Sequence, residues 1–191
     1  MSATVKIHWY WVRIDPTDKW KTVEAKLVAK SVDLRWLAKS VYVIRLQDDF
    51  CISYPKGHSP TLYVGEGSFK SRITSHRKWL KQLYELTGVI PLEVGLAFPR
   101  VQNNNLPHRT FEAHLLNCFY QRYDSLPLKN SIHENMQYDH HYEKKALAGV
   151  IGPGSGKKYK WGLTPLRSNS FHAVYKKTHR ARVSSPGESH P

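Results

Sequence analysis

Hydrophobic positions in the first forty residues follow two periods in turn. Residues 4–14 alternate between apolar and more polar side chains, and this period of two predicts a half-buried strand. The alternation stops at Asp15 and Pro16, after which apolar residues recur at helical spacing over 17–30. That spacing predicts a helix, and a second, short helical turn is predicted over 33–38.

The middle of the chain predicts three further strands and two longer helices. Apolar runs rich in β-branched residues over 41–46 and 61–64 predict two strands. Regular helical spacing over 68–86 predicts the longest helix, and a third strand over 92–98 and a helix over 109–123 follow it. This order predicts an α+β fold, in which a small three-stranded antiparallel sheet is flanked by helices.

The same patterns divide the chain into three parts. Residues 1–39 are predicted to be an N-terminal extension, a strand and a helix that pack on the core. Residues 40–148 are the core, which includes a long polar connection over 47–60 and a poorly patterned polar stretch over 131–148. Residues 149–191 combine a glycine-rich linker with a basic C-terminal arm.

The formal net charge of +14 favours a polyanionic partner, and nucleic acid is the first expectation. A basic surface that is merely solvated is the alternative. No apolar run reaches the roughly 18 residues of a membrane helix, and the N-terminus lacks the layout of a signal peptide. Two cysteines are too few for a disulfide framework, so we expect a cytoplasmic protein without membrane contact.

Basic side chains concentrate in two places. One is the polar flank of the helix over 68–86, and the other is the arm, where aromatic residues are interleaved with lysine and arginine. A basic segment of this kind is expected to follow phosphates. The candidate nucleic-acid-binding residues are Lys70, Arg77, Lys78, Lys157, Lys158, Lys160, Lys176, Lys177, Arg180 and Arg182.

Two of the predicted strands each carry a tyrosine, and the helix after them carries an arginine and a histidine. Ser40-Val41-Tyr42 opens the first strand, and Tyr63-Val64-Gly65 ends the second. Arg72 and His76 lie one helical turn apart, so both side chains can reach one point. In this order the residues resemble the motifs of the GIY-YIG nuclease family, with Ser40 standing where that family has glycine.

The resemblance continues to about residue 130. Glu112 stands where the family has a metal-binding glutamate, and Asn130 stands where it has a late asparagine. The resemblance implies that Glu112 holds one Mg²⁺, for which Mn²⁺ substitutes, and that Arg72 grips the scissile phosphate. The implied catalytic residues are Tyr42, Tyr63, Arg72, His76, Glu112 and Asn130. Since the set holds no second carboxylate, we expect a one-metal mechanism, with Asn130 anchoring a loop near Glu112.

The general base stays open among three residues. Tyr42 is the first candidate, with Tyr63 orienting the water or the phosphate. A tyrosine pKa is ordinarily about 10, so this role requires nearby positive charge to favour the phenolate. His76 is the third candidate, because it can accept a proton from Tyr42 or hydrogen-bond the phosphate.

The sequence therefore predicts a Mg²⁺-dependent endonuclease that hydrolyses phosphodiester bonds of double-stranded DNA. A stand-alone restriction-type enzyme acting as a monomer or a homodimer fits the chain length best, and a phage or toxin nuclease remains open. The alternative is a non-catalytic nucleic-acid-binding protein on a degenerate nuclease scaffold. A basic RNA-binding protein is a third reading, which competition between duplex DNA and RNA would separate.

Overall fold

The computed structural model describes residues 4–47, 51–87, 92–132 and 140–152, together with residue 173. Apart from residue 173, the predicted basic arm beyond residue 152 lies outside the described residues. None of the described helices is both long and apolar enough to cross a membrane.

The described chain alternates strands with helices. The strands are β1 (Trp9–Ile14), β2 (Ser40–Leu46), β3 (Ile52–Tyr54), β4 (Gly57–Ser59), β5 (Thr61–Gly67) and β6 (Leu92–Ala97). The helices are α1 (Trp20–Ala29), α2 (Phe69–Thr87), α3 (Pro107–Tyr123) and α4 (Lys144–Ile151), and a 3₁₀ helix (Leu34–Lys39) leads directly into β2. The strands and helices predicted up to residue 123 are thereby confirmed, with ends that differ by a few residues.

The main sheet has four strands, in the order β1-β6-β2-β5, and every neighbouring pair is antiparallel. The prediction of an α+β fold is confirmed, but the prediction of a three-stranded sheet is wrong. β1 pairs with β6 along its whole length, from Trp9 opposite Ala97 to Ile14 opposite Leu92. Without β1, the outer edge of β6 would present unpaired backbone groups, so the N-terminal strand completes the sheet.

Strand β2 lies at the centre of the molecule and is buried on both faces. Tyr42 and Ile44 belong to the core cluster that also contains buried residues of α1 and α2. Val41 and Val43 belong to a second cluster, which contains buried residues of α3 and α4. Burial on both faces explains why this strand reads as an unbroken apolar run, and it places Tyr42 under α2.

The connection predicted over 47–60 contains a hairpin. β3 and β4 pair there as a separate two-stranded sheet. The hydroxyl of Tyr54 donates to the Thr61 carbonyl at 2.6 Å and accepts from the Leu128 amide at 3.0 Å. Strands of three residues are too short to show an alternation, so the expectation of an irregular loop is wrong for this part.

Helix α4 is a further correction, because residues 131–148 showed no helical pattern and residues 149–151 were assigned to the linker. The helix is held by tertiary hydrogen bonds to its backbone carbonyls. The Thr61 hydroxyl donates to the Val150 carbonyl, and the Tyr123 hydroxyl donates to the Ile151 carbonyl. A helix of eight residues is marginal in isolation. These contacts with residues distant in the sequence therefore stabilise it, and for the same reason no local sequence pattern predicts it.

The Trp11 indole lies between Gly95 and Gly149, and substitution of each glycine by alanine should change the free energy of unfolding differently. A Cβ at Gly95 would lie 2.6 Å from the Trp11 ring, whereas a Cβ at Gly149 would lie 4.0 Å from it. We expect Gly95→Ala to lower the free energy of unfolding by about 1–3 kcal/mol through overpacking. Gly149→Ala, on α4, should leave it unchanged or raise it by up to about 1 kcal/mol.

Urea unfolding of the two variants beside the parent chain measures both changes. Equal effects of the two substitutions would contradict this packing of Trp11 between β6 and α4.

Candidate active site

Two tyrosines meet beside a glycine on the paired strands β2 and β5. Tyr42 lies opposite Gly65 in the register, and Tyr63 lies two residues before Gly65. A Cβ at Gly65 would lie 2.5 Å from Cε1 of Tyr63 and 2.8 Å from the hydroxyl oxygen of Tyr42. Only glycine therefore leaves room for both rings. The motif Tyr63-Val64-Gly65 contains this glycine, but the motif alone does not indicate its role.

Helix α2 brings His76 onto the same two rings. The hydroxyl oxygen of Tyr42 lies 3.2 Å from Nε2 of His76, within hydrogen-bond distance. The rings of Tyr63 and His76 meet edge to face at 4.5 Å, and the two tyrosine rings are 5.8 Å apart. Tyr42 is fully buried, while Tyr63 and His76 are half-buried, so the cluster opens toward solvent on one side.

The protonation states of this cluster follow from burial. Burial lowers the pKa of His76 to about 4, and the positive charges of Arg72 and Lys129 act in the same direction. Burial raises the pKa of Tyr42 well above its ordinary value, and the neighbouring Tyr63 raises it further. At neutral pH, Tyr42 is therefore a phenol and His76 is a neutral imidazole, and the tautomer of His76 sets which of the two donates in their hydrogen bond.

The raised pKa of Tyr42 bears on which residue can act as the general base. Arg72 lowers the pKa of Tyr42, as the phenolate hypothesis requires, but burial outweighs that effect. The described side chains therefore do not favour a Tyr42 phenolate. They favour a pair in which both Tyr42 and His76 are uncharged.

Arg72 and Glu112 lie on two different helices, and their opposite charges both act on the tyrosine pair. Arg72 is exposed on α2, one turn before His76, and Glu112 is half-buried on α3. Burial is the largest cause of the raised pKa of both Tyr42 and Tyr63. Beyond it, Glu112 raises both pKa values and Arg72 lowers both, so the two charges act on the same two hydroxyl groups.

Asn130 binds the backbone of β5 with both ends of its side-chain amide. Its Oδ1 accepts from the Val64 amide at 2.9 Å, and its Nδ2 donates to the Val64 carbonyl at 2.7 Å. The Lys129 amide also donates to the Leu62 carbonyl at 2.9 Å. Asn130 thus acts as a positioning residue that pins the segment after α3 to the outer edge of β5, beside Tyr63.

Further residues of this region were not predicted. Lys129 acts on the pKa of His76, although it lies far from it in sequence. Glu66 lies 3.4 Å from Nε2 of the buried His108 and 3.7 Å from Nε of Arg109. The spacing of His108 and Glu112, four residues apart on α3, is the sequence signal that could have placed His108 near the site.

The basic residues predicted to contact nucleic acid divide into described and undescribed sets. On α2, Lys78 is exposed, and Nζ of the exposed Lys70 lies 5.4 Å from the centre of the Trp20 ring. Arg77 is half-buried and donates to the Asp18 carbonyl at 2.8 Å, so its guanidinium also ties α2 to the start of α1. The other candidates lie outside the described residues, namely Lys157, Lys158, Lys160, Lys176, Lys177, Arg180 and Arg182.

The cluster fits a hard divalent cation held by one carboxylate. Among the described residues, no three His, Cys, Asp or Glu side chains lie together as a metal-binding group. Mg²⁺ keeps most of its ligands as water, so a single carboxylate is an adequate protein ligand. Glu112, whose charge acts on both tyrosines, would be the carboxylate that holds such an ion.

Comparison of this chain with protein-family models, with curated proteins and with solved structures found no match in any of the three. The chemistry of the cluster is therefore inferred from its own geometry and from the sequence motifs.

The pKa of His76 is the property of this cluster that solution measurement can test directly. We expect its ring protons to titrate by NMR with a midpoint near the value of about 4, because burial disfavours the imidazolium. The resonance is assigned by its absence from a His76→Gln variant. A midpoint near the ordinary histidine value of about 6.5 would contradict the buried pair with Tyr42.

The lowered pKa of His76 also makes the free energy of unfolding depend on pH. Between about pH 4 and 6.5 the unfolded chain binds a proton at His76 that the folded chain does not. The free energy of unfolding should therefore fall as the pH falls through this window, and less steeply in the His76→Gln variant.

Proposed function

We propose that this chain is a metal-dependent endonuclease of the GIY-YIG type that hydrolyses phosphodiester bonds of double-stranded DNA. One observation carries the proposal. Tyr42, Tyr63 and His76 converge from two strands and a helix, and the charges of Arg72 and Glu112 act on the same pair of phenols. These are five of the six residues that the family motifs assign to catalysis, and they come from a stretch of the sequence between residues 42 and 112.

Each side chain has a role that its surroundings permit. The exposed guanidinium of Arg72 binds a phosphate and stabilises the negative charge that develops on it. Glu112 would hold the divalent cation, which when bound neutralises charge on the phosphate and on the leaving oxygen. Asn130 holds β5 in place, and with it Tyr63, which orients the attacking water.

The general base is the pair of Tyr42 and His76. The Tyr42 hydroxyl takes a proton from the attacking water while it passes its own proton to Nε2 of His76, 3.2 Å away. Burial keeps His76 unprotonated at neutral pH, so that it can accept. This arrangement requires no free phenolate.

The excess of positive charge suits a DNA substrate, because each phosphate contact releases counterions and adds affinity without regard to sequence. A stand-alone restriction-type enzyme of the cytoplasm is the biological role that we infer. One such cluster cuts one strand, so a double-strand break requires a homodimer or two successive nicks by a monomer.

Cleavage of supercoiled plasmid tests the proposal. The parent chain should cut in the presence of Mg²⁺ or Mn²⁺ and should not cut in EDTA. Glu112→Gln should slow cutting by about a hundredfold or more while DNA affinity persists, because the variant removes the charge that holds the metal. Glu85→Gln is the matched control, since it neutralises an exposed carboxylate on α2 whose pairing partner is Lys81, and it should cut normally.

Tight DNA binding by the parent without cutting, on several DNAs and with either metal ion, would contradict the proposal. That result would favour a non-catalytic nucleic-acid-binding protein on the same scaffold.

A further inference from the structure

A groove separate from the tyrosine cluster lies between the 3₁₀ helix Leu34–Lys39 and the segment that follows β6. Its volume is about 250 Å³. The residues that line it are Arg35, Trp36, Ala38, Lys39, Phe98, Pro99 and Arg100. Among these described residues there is no acidic side chain, so the groove presents aromatic and cationic groups to solvent.

The aromatic wall of the groove is Trp36, which is 39% exposed although it is the largest apolar side chain of its segment. Its ring meets Phe98 edge to face at 5.6 Å, and Phe98 in turn lies 5.9 Å from Tyr10. These contacts hold the Trp36 ring from one side and fix its orientation. A flat indole held in this way is suited to stack against another planar ring.

Two cationic groups lie close to this ring. The guanidinium of Arg100 lies over one face of the Trp36 ring, 4.4 Å from its centre, which leaves the opposite face for a base, and the exposed Lys39 lines the same groove. Arg35 is paired with Asp33 at 2.7 Å, so Lys39 and Arg100 are the cations better placed to meet an anion. Aromatic platforms flanked by lysine and arginine bind single-stranded nucleic acid, because the ring stacks a base and the cations meet its phosphates. An acidic peptide would use the cations but would leave the indole without a planar partner.

The groove adjoins the candidate active site along the chain and in space. Lys39 immediately precedes β2, and Tyr42 follows three residues later, about 10 Å along the strand. That length equals about three nucleotide steps of one DNA strand. The charge of Lys39 also acts on His108, which lies one turn before Glu112 on α3.

We propose that this groove binds an unpaired base of the DNA strand, stacked on Trp36, with the adjoining phosphates on Lys39 and Arg100. The proposal rests on the proposed function for nucleic acid as the partner, and it names the substrate class more narrowly. The preferred substrate is a duplex with a frayed, displaced or otherwise unpaired nucleotide near the scissile bond.

A binding experiment without catalysis separates this inference from the endonuclease proposal. Fluorescence anisotropy in EDTA compares an eight-nucleotide thymidine strand with a strand of equal charge made of abasic residues. The parent chain should bind the thymidine strand about 5- to 150-fold more tightly, which corresponds to stacking of one base. Trp36→Ala should lose most of this preference, and Trp36→Phe should keep most of it.

Two further variants distinguish stacking from charge and from loss of structure. Tyr120→Ala removes another exposed aromatic ring outside the groove and should leave the preference unchanged. Arg100→Ala should weaken binding of both strands alike, because both carry the same phosphates. Thermal unfolding of each variant shows whether the fold is retained. If Trp36→Ala fails to fold, the affinity of Arg100→Ala for the two strands still tests the proposal.

Equal affinity of the parent chain for the two strands would overturn the inference, whether or not the chain cuts plasmid. A Trp36→Ala variant that folds and still prefers the thymidine strand would also overturn it, because the base would then be bound elsewhere. Normal binding of both strands by Arg100→Ala would remove the assigned phosphate contact and would likewise overturn it.

Discussion

The antiparallel pairing of β2 with β5 is the constraint on which the candidate site depends. It sets Tyr42 opposite Gly65, where a side chain of any size would collide with both tyrosine rings. The rest of the fold keeps that pairing in place. β6 holds the inner edge of β2, and Asn130 holds the outer edge of β5 through both groups of its amide. The sheet thus fixes the backbone, and the missing Cβ of Gly65 lets the rings converge.

Burial then decides the chemistry that the converged rings can perform. Tyr42 is fully buried and remains a phenol, while the half-buried His76 remains uncharged at neutral pH. A neutral phenol and a neutral imidazole 3.2 Å apart form a path for a proton without a permanent charge in the core. The charged members of the set, Arg72 and Glu112, come from helices on the two sides, where partial exposure makes their charge tolerable. This separation of a neutral relay from charged binding groups suits the proposed hydrolysis of a phosphodiester.

Sequence patterns predicted the regular elements of the core, because alternation and helical spacing report burial directly. They did not predict the place of β1 in the sheet, the β3–β4 hairpin or α4, since each depends on partners distant in the sequence. The tyrosines, Arg72, His76 and Glu112 were identified through the order of family motifs. The structure brings all five into electrostatic or direct contact, but whether they catalyse a reaction stays a prediction. Asn130, which was expected to anchor a loop, hydrogen-bonds the backbone of Val64 on β5, while Lys129 and Glu66 carried no sequence signal.

Single-turnover cleavage by a Gly65→Ala variant measures whether the ring geometry imposed by Gly65 assembles a catalytic cluster. The added Cβ displaces the rings of Tyr42 and Tyr63, so cutting should slow by about a hundredfold while DNA affinity stays close to that of the parent. Gly67→Ala is the matched control, because it strains the backbone of the same strand at φ 94° without meeting any neighbouring atom. It should lose stability and retain cutting at a temperature where both variants are folded. Cleavage by Gly65→Ala at the rate of the parent, or at the rate of Gly67→Ala, would show that cleavage does not depend on the ring geometry that Gly65 imposes.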